Sequence, residues 1–200
     1  MIKQIMLNKN INLSNWTTRD LLVMASISLV FTIIIIIATY FYMFIIIPLG
    51  LIAGGIASGI WAISGIFTMY ILRRPGAALF CQLLIGIIQV PFSPFGWMTI
   101  LLAVILGIPT ELAFLSTRYR NFNLFTLMIA GILANVLHMA LVIIPLGFID
   151  MEMIMQILII ISVLFGGGMA GLLAKILADA IAKTGVLSGY SIGQEFQEEI

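Results

Sequence analysis

Glu111 lies clearly inside a long apolar run, and His138 is the chain's one histidine. An ionisable group within an apolar span is a functional hypothesis by default, because burying its charge is costly. Paired, the two could do acid–base chemistry. The structural alternative for Glu111 is a partner at the end of its helix, since Arg118 and Arg120 follow there. Lys175 and Asp179, four apart, fit a pair along one helix. A second constellation is neutral: Trp61, Gln82, Gln89, Asn135 and His138, with Phe92, Phe95 and Trp97 nearby in sequence. Each polar member must find a hydrogen-bond partner in apolar surroundings. Taken singly, each reads as glue between helices. Taken together, they could line a pocket for a flat polar molecule, with an apolar wall and a few placed polar groups. Gly166, Gly168 and Gly171 match the spacing of a dinucleotide fingerprint, yet no strand precedes them, so close helix packing is the better reading. No phosphate-cradling G-x-x-x-x-G-K, no H-E-x-x-H and no G-x-S-x-G occurs. Cys81, the lone cysteine, allows no internal disulfide. No cofactor or metal site is read from the chain.

The elements that must position these residues follow from composition. Of 200 residues, 62% are hydrophobic and 8% charged, against about 25% charged in a soluble domain. This predicts an all-α polytopic membrane protein. The net charge of +1 gives no nucleic-acid surface. A span needs about 20 apolar residues at 1.5 Å rise each. The charge-free stretch from Leu21 to Leu72 suits two spans, about 21–44 and 50–72, broken near Pro48 and Gly50. Arg73-Arg74-Pro75-Gly76 forms a charged turn before a short third helix, about 77–90. The run Pro91 to Gly96 is irregular, tolerable at membrane depth only when covered by protein or facing a cavity. Helices follow at about 97–116, 124–147 and 153–182, making a bundle of six. The expected organisation is a cytoplasmic segment 1–18, a transmembrane domain 19–183 and a cytoplasmic tail 184–200. Thr17 and Asp20 form a candidate capping box at the start of the first helix.

With the N-terminus inside, all nine Lys and Arg residues fall at cytoplasmic ends, and the outer loops carry only Asp150 and Glu152. This positive-inside pattern predicts both termini in the cytoplasm of a plasma-membrane protein. No removable signal peptide is expected, and the glycosylation-like triplets at Asn12 and Asn15 read as chance. Ala25, Ser28 and Thr32 form a small-residue stripe on the first helix, suited to docking either another membrane protein or a helix of this chain.

Three stretches carry a family resemblance: GIWAISGIFTMYILRRPGAALF after the second helix, ELAFLSTRYR at the end of the fourth, and AGLLAKILADAIAKTGVLSGYSIGQE near the C-terminus. They resemble the YkoE family of substrate-binding S components of energy-coupling factor (ECF) transporters, from the first helix onward. The resemblance implies a six-helix S-component bundle that is not itself an enzyme. It implies capture of thiamin or its hydroxymethylpyrimidine precursor from outside, and partnership with a transmembrane coupling subunit and ATPase subunits. It implies docking to the coupling subunit through Ala25, Ser28 and Thr32, and puts Trp61 and Glu111 at positions matching the family. With the polar and aromatic residues read above, the candidate substrate-binding set is Trp61, Gln82, Gln89, Trp97, Glu111, Asn135 and His138. The sequence departs from the family at Gln82 and Gln89, where carboxylates are expected, and near Val142, which leaves open a different vitamin-like ligand. Two other classes compete: an intramembrane enzyme using Glu111 and His138, and a channel or assembly factor built on the glycine-lined helices.

Overall fold

The computed structural model describes residues 16–197, and every described element is helical. Lys3, Lys9, Asn12 and Asn15 lie outside these residues. Helix α1 (Thr18–Ala57) opens on the capping box: Asp20 N–H donates to Thr17 Oγ1 at 3.2 Å, and Thr17 N–H donates to the Asp20 carboxylate at 3.0 Å. Within α1, Gly50 leaves helical geometry at φ 69°, a conformation natural to glycine, two residues after Pro48. The break divides α1 into two limbs. The first gives the span Thr18–Phe44, and the second continues with α2 (Ile60–Leu72) as the span Pro48–Leu72.

Helix α3 (Ala77–Gln89) follows the Arg73–Gly76 turn. Its 13 residues reach about 20 Å, short of the ~30 Å hydrocarbon layer. The Pro91–Gly96 stretch follows, with part of its backbone satisfied locally. Phe92 and Ser93 N–H groups both donate to Gln89 C=O at 2.9 Å, and Tyr40 Oη donates to Phe92 C=O at 3.0 Å. Helix α4 (Met98–Ser116) is followed by α5 (Leu124–Ile143), capped by Asn123 accepting from Thr126 N–H at 2.9 Å. A 3-10 turn at Phe148–Asp150 leads to α6 (Met153–Lys183) and the short α7 (Ser191–Gln197). The fold is thus all-α and polytopic: among the described residues five helical segments are long and apolar enough to cross a membrane, and α3 is a shorter sixth. The fifth helix stops at Ile143 rather than 147, because Pro145 has no N–H to continue the ladder, and Gly147 at φ 80° then turns the chain.

Small residues let the helices touch backbone to backbone. A Cβ on Gly131 would stand 2.1 Å from Gly167 C=O, one on Gly171 2.3 Å from Leu127 C=O, and one on Gly59 2.1 Å from Gly166 C=O. The α6 glycines therefore seat α5 and the end of α1, with no space there for a nucleotide. Ser28 and Thr32 also pack inward, fully buried. Ser28 Oγ donates to Met24 C=O at 2.8 Å and reaches Cys81 Sγ at 3.3 Å. Of the two dockings open to this stripe, Ser28 and Thr32 make the one within this chain: both lie on the face of α1 that carries Met24, Phe31 and Ile35, and of the three only Ala25, at its border, is exposed.

The segment after α6 is less of a free tail than the 183/184 boundary suggests. Leu187, Tyr190 and Ile192 are buried, and the Arg19 guanidinium lies 5.1 Å above the Tyr190 ring. Burial and the nearby Asp20 carboxylate push the Tyr190 phenol above its ordinary range. Asp20 also pairs with Arg74 at 3.6 Å, so this end of the bundle is polar and cross-linked.

Candidate functional site

The half of the bundle remote from Arg73, Arg74, Arg118 and Arg120 encloses a cavity of about 600 Å³. The first limb of α1 supplies Ile35, Thr39, Tyr42 and Ile46, whose alternating spacing puts them on one helical face. Helix α2 supplies Trp61, and α3 supplies Gln82, Ile85, Gly86 and Gln89. Met98, Thr99 and Leu102 of α4 and His138 of α5 complete the polar and apolar wall. Gly86 is required here, because a Cβ would lie 2.9 Å from Thr99 C=O and force α3 away from α4.

Trp61 is held on several sides. Its indole N–H donates to Thr39 Oγ1 at 3.2 Å, and its C=O accepts from Gln82 Nε2 at 2.9 Å. The Tyr42 ring stands edge-on at 4.8 Å and the His138 ring tilts against it at 5.6 Å. An aromatic surface fixed in this way loses little freedom when a flat ligand stacks on it. Polar capacity is left over beside it. Among the described residues, His138 Nδ1 is buried without a partner, and no hydrogen bond engages the buried Gln89 amide or Gln82 Oε1. Gln82 and Gln89 both line the cavity, and their unengaged amide groups are a place for a ligand carrying complementary ones.

The other sequence candidates lie elsewhere. Trp97 is 70% exposed and does not line the cavity; its neighbour Phe95 does. Asn135 is buried at a three-helix node: its Oδ1 accepts from Ser58 Oγ at 2.7 Å, and its Nδ2 donates to Gly55 C=O at 3.2 Å and Val163 C=O at 2.8 Å. All its visible capacity is used by the fold. Glu111 is at the opposite end, where Oε1 accepts from Gly76 N–H at 2.6 Å and from Tyr119 Oη at 2.8 Å. It anchors the charged turn, and it has neither Arg118 nor Arg120 as a hydrogen-bond partner. Burial, then this hydrogen bond, raises the Tyr119 phenol well above its usual range. His138 stands about 20 Å along α5 from its start near the Glu111 end. Glu111 and His138 are thus separated, which removes the acid–base pairing an intramembrane enzyme would need.

Sequence reasoning missed Thr39, Tyr42 and Thr99. The signal for the first two was available: a Thr and a Tyr three apart on the stripe of an otherwise apolar helix. Thr99 Oγ1 is engaged with Gly86 and Gly96 C=O, both at 2.8 Å, and holds the wall together.

A bundle of apolar helices with a partly polar, aromatic-lined cavity in one half, and no converging acid–base pair, defines a membrane-embedded ligand-binding component. The comparisons with known proteins place it more closely. Residues 19–137 match the family described as "ABC-type cobalt transport system, permease component". The chain is similar to the "Putative HMP/thiamine permease protein YkoE" of Bacillus subtilis (strain 168), 30% identical over 189 residues, covering 94% of this chain and 95% of that protein. It is also similar to a solved structure described as "Crystal structure of an S-component of ECF transporter", with TM-score 0.86 and 29% identity over 92% of this chain and 95% of that one. The chain belongs to this permease-component family, as an S component of the ECF type.

Proposed function

We propose that this S component captures thiamin or its hydroxymethylpyrimidine precursor from the outer face of the plasma membrane. The ligand ring stacks on Trp61, and Gln82, Gln89 and His138 read its polar edge. The observation that carries this reading is the juxtaposition of a clamped indole with the unengaged Gln89 amide and the His138 side chain on the wall of one cavity. The name of the Bacillus subtilis relative, an HMP/thiamine permease, supports the same ligand class. Placing the basic residues inside gives the orientation: the cavity then lies in the outer half and both termini lie in the cytoplasm. Release inward is driven by ATPase subunits through a transmembrane coupling subunit. That subunit meets the outward face of α1 around Ala25, beside the exposed Ser26 and Leu29.

Ligand-dependent thermal stabilisation tests the binding claim. A ligand present at about 100 times its Kd adds ~2.7 kcal/mol to the folded state, a readily measured shift. No shift with either thiamin or hydroxymethylpyrimidine would contradict it. Isolating the tagged chain from its native membrane tests the partnership: ATPase subunits should accompany it, and their consistent absence would contradict the coupling claim.

A further inference from the structure

We infer that the cavity selects an uncharged heteroaromatic ring and discriminates against the fixed thiazolium cation of thiamin, with Gln82 and Gln89 as the specificity-determining residues. This rests on the function proposed above and narrows it. Twenty-one of the described residues line the cavity, and none of these is Asp, Glu, Lys or Arg. The described carboxylates are placed elsewhere: Asp20 with Arg74, Glu111 with Gly76 and Tyr119, and Asp179 with Lys175. Asp150 and Glu152 are exposed on the loop before α6, off the cavity wall. A cation entering this site gives up its hydration and meets aromatic faces and neutral amide oxygens but no counter-charge, which offsets part of that loss and no more. An anionic phosphate ester fares worse, with no cation on the wall to receive it.

A neutral aminopyrimidine meets matching groups. Gln82 and Gln89 are seven residues apart and face the same side of α3. Gln82 spends an N–H on Trp61 C=O and keeps its Oε1 as an acceptor. Gln89 retains both a donor and an acceptor. An amino group beside a ring nitrogen is the donor–acceptor edge that a side-chain amide reads bidentately in adenine. A carboxylate at either position would supply the counter-ion but would lose the donor.

The test is the affinity of the purified full chain, by titration calorimetry at slightly alkaline pH, for three probes. They are hydroxymethylpyrimidine, thiamin, and deazathiamin, an isostere of thiamin whose second ring is uncharged. Deazathiamin should bind tighter than thiamin by about tenfold or more, and hydroxymethylpyrimidine should also bind tighter than thiamin. Gln89→Glu should shrink or reverse the gap between the two isosteres. Thiamin binding to the natural chain as tightly as deazathiamin would overturn the inference while leaving the S-component site intact. Binding of none of the three would overturn the proposed function and this inference with it. The isostere comparison needs no variant, so it decides the matter even where Gln89→Glu fails to fold.

Discussion

Trp61, Asn135 and Glu111 look alike in sequence, as polar or aromatic residues within apolar runs, yet they divide cleanly by what they touch. Trp61 lines the cavity while its polar atoms are tied to Thr39 and Gln82. Trp61→Ala should weaken ligand binding by about 10- to 100-fold, read by calorimetry, with the fold retained by circular dichroism. Asn135 has the opposite profile, since its hydrogen bonds all go to Ser58, Gly55 and Val163. Asn135→Ala should cost about 1–2 kcal/mol of stability in detergent and leave ligand affinity within about twofold. Glu111→Ala deprives Gly76 N–H and Tyr119 Oη of their acceptor. A loss of about 1–3 kcal/mol follows, again without loss of binding. A large loss of affinity in the Glu111 variant would place that carboxylate in the ligand's path and contradict its role as an anchor of the turn.

Helices are where the sequence was most legible, because a membrane imposes one length and one hydrogen-bonding rule on them. The break at Pro48 and Gly50, the turn at Arg73–Gly76 and the capping box of Thr17 and Asp20 each have a local chemical cause, and each stands where that chemistry puts it. Helix faces were harder to assign. Lipid is as apolar as a buried leucine, so Leu22, Phe41 and Phe44 on the outside resemble Phe31 and Ile35 on the inside, and nothing in their types says which way Ser28 and Thr32 turn. For the same reason Trp97 and Asn135 were candidates equal to Trp61 and His138 until the packing separated them. Glycine is the marker that survives, because its spacing reports close contact directly. Gly167→Val would drive a side chain into Ile132 Cα and Gly131 C=O, at 2.6 and 2.7 Å from its Cβ. It should destabilise by about 1–3 kcal/mol or more, seen as a lowered midpoint of thermal unfolding. Gly168, whose Cβ would meet only Met128 Cε at 3.5 Å and Ile132 Cδ1 at 3.9 Å, should tolerate alanine with little change.

At the scale of the whole molecule the charges are sorted by end, and so is the function. The arginine-rich turns, the Asp20–Arg74 pair, the Glu111 anchor and the packed Leu187–Ile192 segment form one polar end, while the cavity occupies the other. Cys81 is fully buried, so the natural chain is a quiet background for cysteine labelling. In intact cells an impermeant maleimide should label Asp150→Cys directly and Arg120→Cys only after permeabilisation; the reverse pattern would invert the orientation and turn the cavity inward. The most direct test of the pyrimidine-binding S component is native mass spectrometry of the detergent-purified chain, with hydroxymethylpyrimidine and thiamin added separately and Trp61→Ala alongside. Retention of a ligand by the natural chain and its loss in the variant is the expected result. Equal retention by both proteins, or none by either, would contradict a site built on Trp61.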